Sequence, residues 1–273
     1  MHYERIKERL GKVFGTSVLL RKFFYRLLNI LLLRTWHIHK EIKNFRRKYK
    51  HVENISILDA GSGFGQYTYY LAKKNPNWQI ESIDINDSEI KACNDFFEKA
   101  GLKNISCKVA DLTNFSNPEK YDMILSVDVM EHIENDQAVF YNFFESLKKN
   151  GMLIISTPSD IGGSDVTNDK KESFIDEHVR DGYSKNDIFL KLKKVGFKNL
   201  DIYYTYGKYG KLSWRLSMKY PLFLIKHKWM LPVLFFYYII VMPFCLLLNF
   251  ADTRINNKKG TGLIVKAYKP INN

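Results

Sequence analysis

The chain has 273 residues, is 45% hydrophobic and 15% aromatic, and carries a formal net charge of +13. That composition excludes a disordered chain, and the length suits one full α/β domain with additions. Its three cysteines, Cys93, Cys107 and Cys245, show no metal or redox spacing, which excludes a disulfide framework and points to a reducing compartment.

Residues 1–50 hold 14 Lys plus Arg against three Glu and no Asp, so +11 of the net charge lies there. Basic charge confined to one end reads as serving that end rather than a catalytic domain. Leu19, Leu20, Phe23, Phe24, Leu27, Leu28, Leu31 and Leu32 recur at helical spacing, interrupted by Arg21, Lys22, Arg26 and Arg34 and by no proline. This predicts a long helix or a helix pair. A basic helix so rich in apolar residues suits a membrane surface or a cap on a neighbouring domain; the apolar side is too large for an RNA-binding helix in water. No small-residue cleavage site follows the apolar run, so no secretory signal is expected.

Residues 51–205 alternate short apolar runs with helical stretches, the rhythm of a parallel sheet. Ile57-Leu58-Asp59-Ala60 reads as a strand entering Gly61-Ser62-Gly63-Phe64-Gly65-Gln66. Glycine permits a tight turn and close approach to a ligand. A second apolar run, Gln79-Ile80-Glu81-Ser82-Ile83-Asp84, ends on a carboxylate about 20 residues past the loop, where a ribose is held by its hydroxyls. Val109-Ala110-Asp111-Leu112 follows, then a strand from Tyr121 running to Met130-Glu131-His132, and Gly151–Pro158 as a fifth strand. Tyr183-Ser184-Lys185-Asn186-Asp187 opens a helix that ends at Gly196-Phe197, and Gly262–Tyr268 looks like a last strand. Between them, Gly207 and Gly210 lead into a basic-aromatic patch and then 23 uncharged residues, Trp229–Ala251. That run is long enough for a bilayer span. A single crossing, however, strands the last β-segment on the wrong side, and Pro232 and Pro243 predict short helical pieces. The expectation is an in-plane or re-entrant hairpin, flanked by Lys219, Lys226, Lys228, Arg254, Lys258 and Lys259, with a lid over a greasy pocket as the alternative.

The order of these pieces resembles class I S-adenosylmethionine (SAM)-dependent methyltransferases over residues 52–205 and 260–270. A dinucleotide fingerprint has glycine or alanine where this chain has Gln66. The resemblance implies a Rossmann-like α/β fold with a seven-stranded sheet whose last strand is antiparallel. It implies SAM as cofactor, with Asp59, Gly61, Ser62, Gly63, Gln66, Asp84, Ile85, Asp111, Leu112 and Val127 as its binding residues. Asp128-x-x-Glu131-His132 is similar to a segment of ubiquinone-pathway O-methyltransferases that binds a divalent metal such as magnesium, with Asp128 standing where Glu is expected. His178, after the fifth strand, and His132 are the candidate catalytic bases. The Asn- or Asp-Pro-Pro-aromatic motif of adenine and glutamine N-methyltransferases is replaced by Ser126-Val127-Asp128-Val129.

The domain organisation expected is a helical extension at 1–50, a SAM-binding core at 51–205, an apolar membrane-facing or lid insertion at 206–259, and a final strand at 260–273. The function expected is methylation, on oxygen, of a hydrophobic small molecule: a quinone precursor, lipid, pigment or lipid-linked sugar. An RNA or protein methyltransferase is the alternative, and a silent accessory subunit a third, against which Gly61, Gly63, Asp84 and Asp111 stand. The expected partner is a membrane surface and not a nucleic acid, with the protein cytoplasmic and peripheral or monotopic at the inner face of the membrane.

Overall fold

Short apolar runs become the strands of one sheet in the computed structural model, which describes residues 17–162, 179–221 and 231–271. The strands are β1 (Ser56–Ala60), β2 (Gln79–Asp84), β3 (Ile105–Val109), β4 (Tyr121–Val127), β5 (Leu147–Pro158), β6 (Lys198–Thr205) and β7 (Gly262–Tyr268), in the order β3-β2-β1-β4-β5-β7-β6. Strands β1 to β5 pair in parallel, and β7 runs antiparallel to both β5 and β6. The two halves of the sheet wind outward from β1 and β4, so the crevice at their C-terminal ends is the switch point where such folds bind ligands.

Alternation along the strands feeds two cores. Leu58, Ile124 and Leu153 face Phe140 and Phe143 of a helix at Asp136–Ser146 and Leu192 of a helix at Lys185–Val195. Ile57, Met123 and Ile154 face the opposite way, onto Leu71 of the helix Gln66–Lys74. The helix Lys185–Val195 is bounded by its own sequence. Ser184 Oγ accepts from the Asp187 N–H, and Gly196, at φ 117°, closes the C-terminus with Phe197 N–H bonded back to Leu192.

The basic N-terminal stretch forms a helix pair, α1 (Val18–Leu31) and α2 (Leu33–Lys48). It is not a free appendage. Ile38, Ile42 and Phe45 of α2 are fully buried in the second core, each worth roughly 1.5–3 kcal/mol. In chain order α3 is Gln66–Lys74, α4 Asp87–Lys99, α5 Asp136–Ser146 and α6 Lys185–Val195.

Between β6 and β7 the chain forms α7 (Lys208–Trp214), continued by a π-helical turn over Arg215–Lys219, and α8 (Leu231–Arg254). The two run antiparallel. Gly210 N–H donates to Asp252, Ser213 Oγ to the Cys245 carbonyl, and Tyr238 Oη to the Ser217 carbonyl. The prolines do not break α8 into the short pieces expected. Pro232 falls in the first turn, where no N–H is needed. Pro243 lies inside the helix, but Tyr237 and Tyr238 before it and Cys245 after it are tied to the preceding segment, and these bonds hold the axis together. Within α8, Phe236–Arg254 is long and apolar enough to cross a membrane by length and composition.

Candidate active site

The glycine loop turns immediately after β1. Gly61 N–H and Ser62 N–H both donate to the Ile83 carbonyl, which locks the loop against the end of β2. Gly61 sits at φ 75°, and a Cβ there would lie 2.3 Å from Val129 Cγ2. Gly65, at φ 76°, is the N-cap of α3, where a Cβ would meet Phe97 at 2.8 Å. Both positions therefore require glycine.

The carboxylates gather around this loop. Asp84 Oδ2 accepts the Gly63 N–H at 2.7 Å and its Oδ1 the Asn86 N–H at 2.9 Å, so each oxygen keeps lone-pair capacity for a ligand hydroxyl. Asp59 is buried and accepts from Thr68 Oγ1 at 2.6 Å; burial pushes its carboxyl up to about 6. Ser82 Oγ donates to Ser62 Oγ at 2.6 Å. Asp111 is exposed in the turn after β3, where the Thr113 N–H holds its carboxyl below the usual range. Leu112 beside it is buried, Ile85 is exposed and Val127 half-buried at the end of β4. Gln66 is placed differently: its amide donates to Asn29 Oδ1 and Thr35 Oγ1, towards the N-terminal helices.

Beside Asp128 lies a concavity of about 210 Å³, lined by Arg34, Asp128, Thr157, Tyr206, Lys211 and Trp214 among others. Val129 packs on Gly61 while Asp128 opens into this cavity, so the glycine loop and the cavity share one wall. Two residues lining it, Asp128 (φ 53°) and Tyr206 (φ 54°), hold left-handed backbone that is costly without glycine; such strain concentrates at functional sites. Asp128 is ion-paired with Arg34, and the Arg34 N–H donates to Tyr206 Oη at 3.1 Å. Burial raises the Tyr206 phenol above its ordinary value.

Asp128, Glu131 and His132 do not assemble as metal ligands, and among the described residues no group of three such side chains does. Asp128 is taken by the Arg34 guanidinium. Glu131 is buried and accepts from Thr157 Oγ1 at 3.1 Å, and burial raises its carboxyl above the usual range, towards the protonated form. His132 ends a short 3-10 turn with an exposed side chain. His178 lies outside the described residues.

The N-terminal helices pack on the domain as the capping alternative expected, but sequence reasoning missed the arginines they bring to the site. Arg21 is 7% exposed and donates to the Ala92 carbonyl at 2.7 Å and to the Phe64 carbonyl, within the glycine loop, at 2.8 Å. Tyr25 Oη also donates to the Phe64 carbonyl. With Arg34 in the cavity wall, the expectation that the N-terminal charge serves only its own end is corrected: these two arginines serve the site. The one available signal was arginine embedded in an apolar helix face, since a buried guanidinium needs acceptors from another element.

A family profile described as Methyltransferase domain matches residues 51–208. The ubiquinone biosynthesis O-methyltransferase of Rickettsia prowazekii is 32% identical over 129 residues, 46% of this chain and 50% of that protein. The malonyl-acyl-carrier-protein O-methyltransferase 2 of Ilyobacter polytropus is 33% identical over 147 residues, 52% of this chain and 53% of that protein. The chain thus spans about half the length of these curated relatives. In fold it is similar to Haemonchus contortus phosphoethanolamine N-methyltransferase 2, solved with S-adenosyl-L-methionine, at a TM-score of 0.55 and 17% identity, covering 85% of this chain and 52% of that one. By the profile match over more than half its length, carried on a Rossmann-like sheet with an antiparallel last strand, this chain belongs to the methyltransferase domain family.

Proposed function

We propose that the chain is a SAM-dependent methyltransferase acting on oxygen of a hydrophobic small molecule drawn from a membrane surface. The observation that carries this reading is the shared wall: a glycine loop with Asp84 on one side and, on the other, a cavity bounded by Tyr206 and Trp214 of the apolar hairpin. The residues present fit the cofactor. Asp84 retains acceptor capacity for a diol beside the Gly63 turn, and Asp111 and Leu112 flank the same end of the sheet.

When bound, SAM supplies an already activated methyl group, so the protein aligns the acceptor and takes a proton. Tyr206, Trp214 and Pro158 give the cavity an aromatic and apolar wall, while Arg34, Lys211 and Thr157 supply polar groups that orient an acceptor head. A hydroxyl acceptor needs a base; His178 and His132 are the histidines offered by the sequence for that role. The apolar hairpin supports a lipid-soluble acceptor, because its exposed side has no other evident use in water. The inward placement of Arg21 and Arg34 removes two of the cations that a polyanionic substrate would need.

The test joins binding and product. Asp84→Ala is expected to weaken SAM binding roughly tenfold to a hundredfold by calorimetry, through loss of charge-assisted bonds. Labelled methyl from SAM is expected in the solvent-extractable fraction of membranes. Unchanged SAM affinity in Asp84→Ala removes the cofactor assignment. Label appearing only in RNA or protein removes the acceptor assignment.

A further inference from the structure

On one side of α8 the surface changes character along its length. Phe236, Ile240, Phe244, Leu247 and Phe250 recur at intervals of three or four, and all are at least half exposed, Ile240 by 75% and Leu247 by 68%. The opposite side, with Cys245, Asn249 and Asp252, is buried. The stripe is exposed over these residues, and it ends at Arg254, whose guanidinium stacks over Phe250.

At that end lies a groove of about 620 Å³ between α8 and α2, lined by none of residues 61–65 of the glycine loop. Trp36, Lys40, Lys43 and Arg47 line it from α2 and Arg254 from α8, with no acidic residue in the lining. Lys40 is engaged: its ammonium donates to the Thr253 carbonyl at 2.7 Å and fixes the two walls together. Lys43 and Arg47 have no ion-pair partner among the described residues. His39 stacks on Tyr70 with ring centroids 3.6 Å apart, and its Nε2 is buried without a hydrogen-bond partner among the described residues. Burial, with Lys74 adding, lowers this imidazole to about 4, so at neutral pH it is an uncharged hydrogen-bonding group in a cationic groove.

We propose that this groove is a binding site for the headgroup of an anionic phospholipid, seated where the apolar stripe of α8 ends. Lys43, Arg47 and Arg254 meet the phosphate, and Trp36 and Phe250 lie at the level of the glycerol. The stripe and the groove are continuous, sharing Phe250 and Arg254. An α8 of 24 residues, about 36 Å long, would then lie along the surface with acyl chains against its stripe and phosphates at its basic end. The charge complementarity favours a lipid over a soluble anion, because a small ion gains nothing from the adjoining apolar stripe. This site rests on the membrane reading above but makes a separate demand: charge selectivity located at one end of α8.

The full chain is floated with vesicles of phosphatidylcholine alone and with vesicles containing about one-third phosphatidylglycerol. Wild type is expected to partition onto the anionic vesicles roughly tenfold or more better. The combined variant Lys43→Ala, Arg47→Ala, Arg254→Ala is expected to lose that preference while keeping its binding to neutral vesicles and its affinity for SAM. Ile240→Ser with Leu247→Ser is expected to lower binding to both vesicle types. Equal binding of wild type to both vesicles, or a preference retained in the triple variant, overturns the headgroup site and leaves the membrane reading standing. No binding to either vesicle overturns both. Thermal stabilisation of wild type by inorganic phosphate alone, or competition by an RNA oligonucleotide, lost in the triple variant while vesicle binding ignores lipid charge, assigns the groove to another ligand and overturns the proposal.

Discussion

At the scale of single residues, Gly61 separates backbone freedom from close packing. Gly61 and Gly101 have almost the same left-handed φ, 75° and 74°, but a Cβ at Gly101 meets nothing within 4 Å whereas one at Gly61 overlaps Val129. Gly101→Ala is expected to cost about 1 kcal/mol from the dihedral alone. Gly61→Ala is expected to cost roughly 3 kcal/mol or more, and to lower SAM affinity, because Val129 cannot retreat without shifting Asp128. Urea unfolding at constant slope measures both; equal losses at the two sites would show that the overlap is relieved at no cost. Asp59 makes a pH-dependent prediction. Burial pushes its carboxyl from 3.8 to about 6 in the folded chain, against the opposing bond from Thr68. The native state thus holds the proton more tightly than the unfolded one. This contribution is fully present below about pH 4 and is lost as pH rises through about 6. Asp59→Asn removes that loss. In the ligand-free protein the variant is expected to gain on wild type by on the order of 2–3 kcal/mol between pH 4 and pH 7. A difference that stays flat with pH would mean that Asp59 is not the group that titrates.

At the scale of elements, the legible parts were those whose signals are local. The strand ending at Asp84, the Ser184 cap and the Gly196 stop are each specified within a few residues, and the structure places β2 and α6 on them. The seven-stranded sheet and its antiparallel last strand were implied by the methyltransferase resemblance that such pieces carry, and the structure has both. What was illegible depends on partners distant in sequence. Nothing near Gln66 says that its amide meets Asn29 and Thr35, and nothing near Pro243 says that tyrosines tied to the π turn will carry a helix through it. Arg21 is the sharpest case, with acceptors 43 and 71 residues away. Its guanidinium spans two carbonyls and also lies 4.6 Å from the Phe96 ring centroid. Lysine keeps the charge but not the planar fork. Arg21→Lys is therefore expected to destabilise the protein by roughly 2–3 kcal/mol, and to weaken SAM binding because the Phe64 carbonyl belongs to the glycine loop. Denaturant unfolding and calorimetry read the two effects. A variant as stable as wild type would reduce α1 to a passive cover.

At the scale of the whole molecule, one buried carboxylate joins the hairpin to the sheet and to the N-terminal helices. Asp252, fully buried on α8, accepts the N–H groups of Tyr206, Gly207 and Gly210, and its Oδ1 lies 3.0 Å from His37 Nε2 of α2. Gly210 permits this approach, since a Cβ there would lie 2.8 Å from Asp252 Oδ2 and 2.5 Å from Leu33 Cδ2. Tyr206 lines the cavity beside Asp128, and Lys211 and Trp214 of that cavity stand on the helix that these bonds start. Asp252 makes none of the bonds that hold the glycine loop, which come from Ile83, Arg21 and Tyr25. Asp252→Asn offers one acceptor oxygen and presents an amide N–H₂ to donors, leaving backbone N–H groups unpaired in a dry place. The expected result is a lower melting temperature, a raised KM for the acceptor or a fall in kcat/KM of roughly tenfold or more, and a SAM affinity close to wild type. The split between the two substrates is the informative readout. If SAM affinity falls in step with acceptor turnover, the hairpin and the glycine loop form one cooperative unit. Asp252 would then be holding the fold as a whole, not the acceptor side of the site.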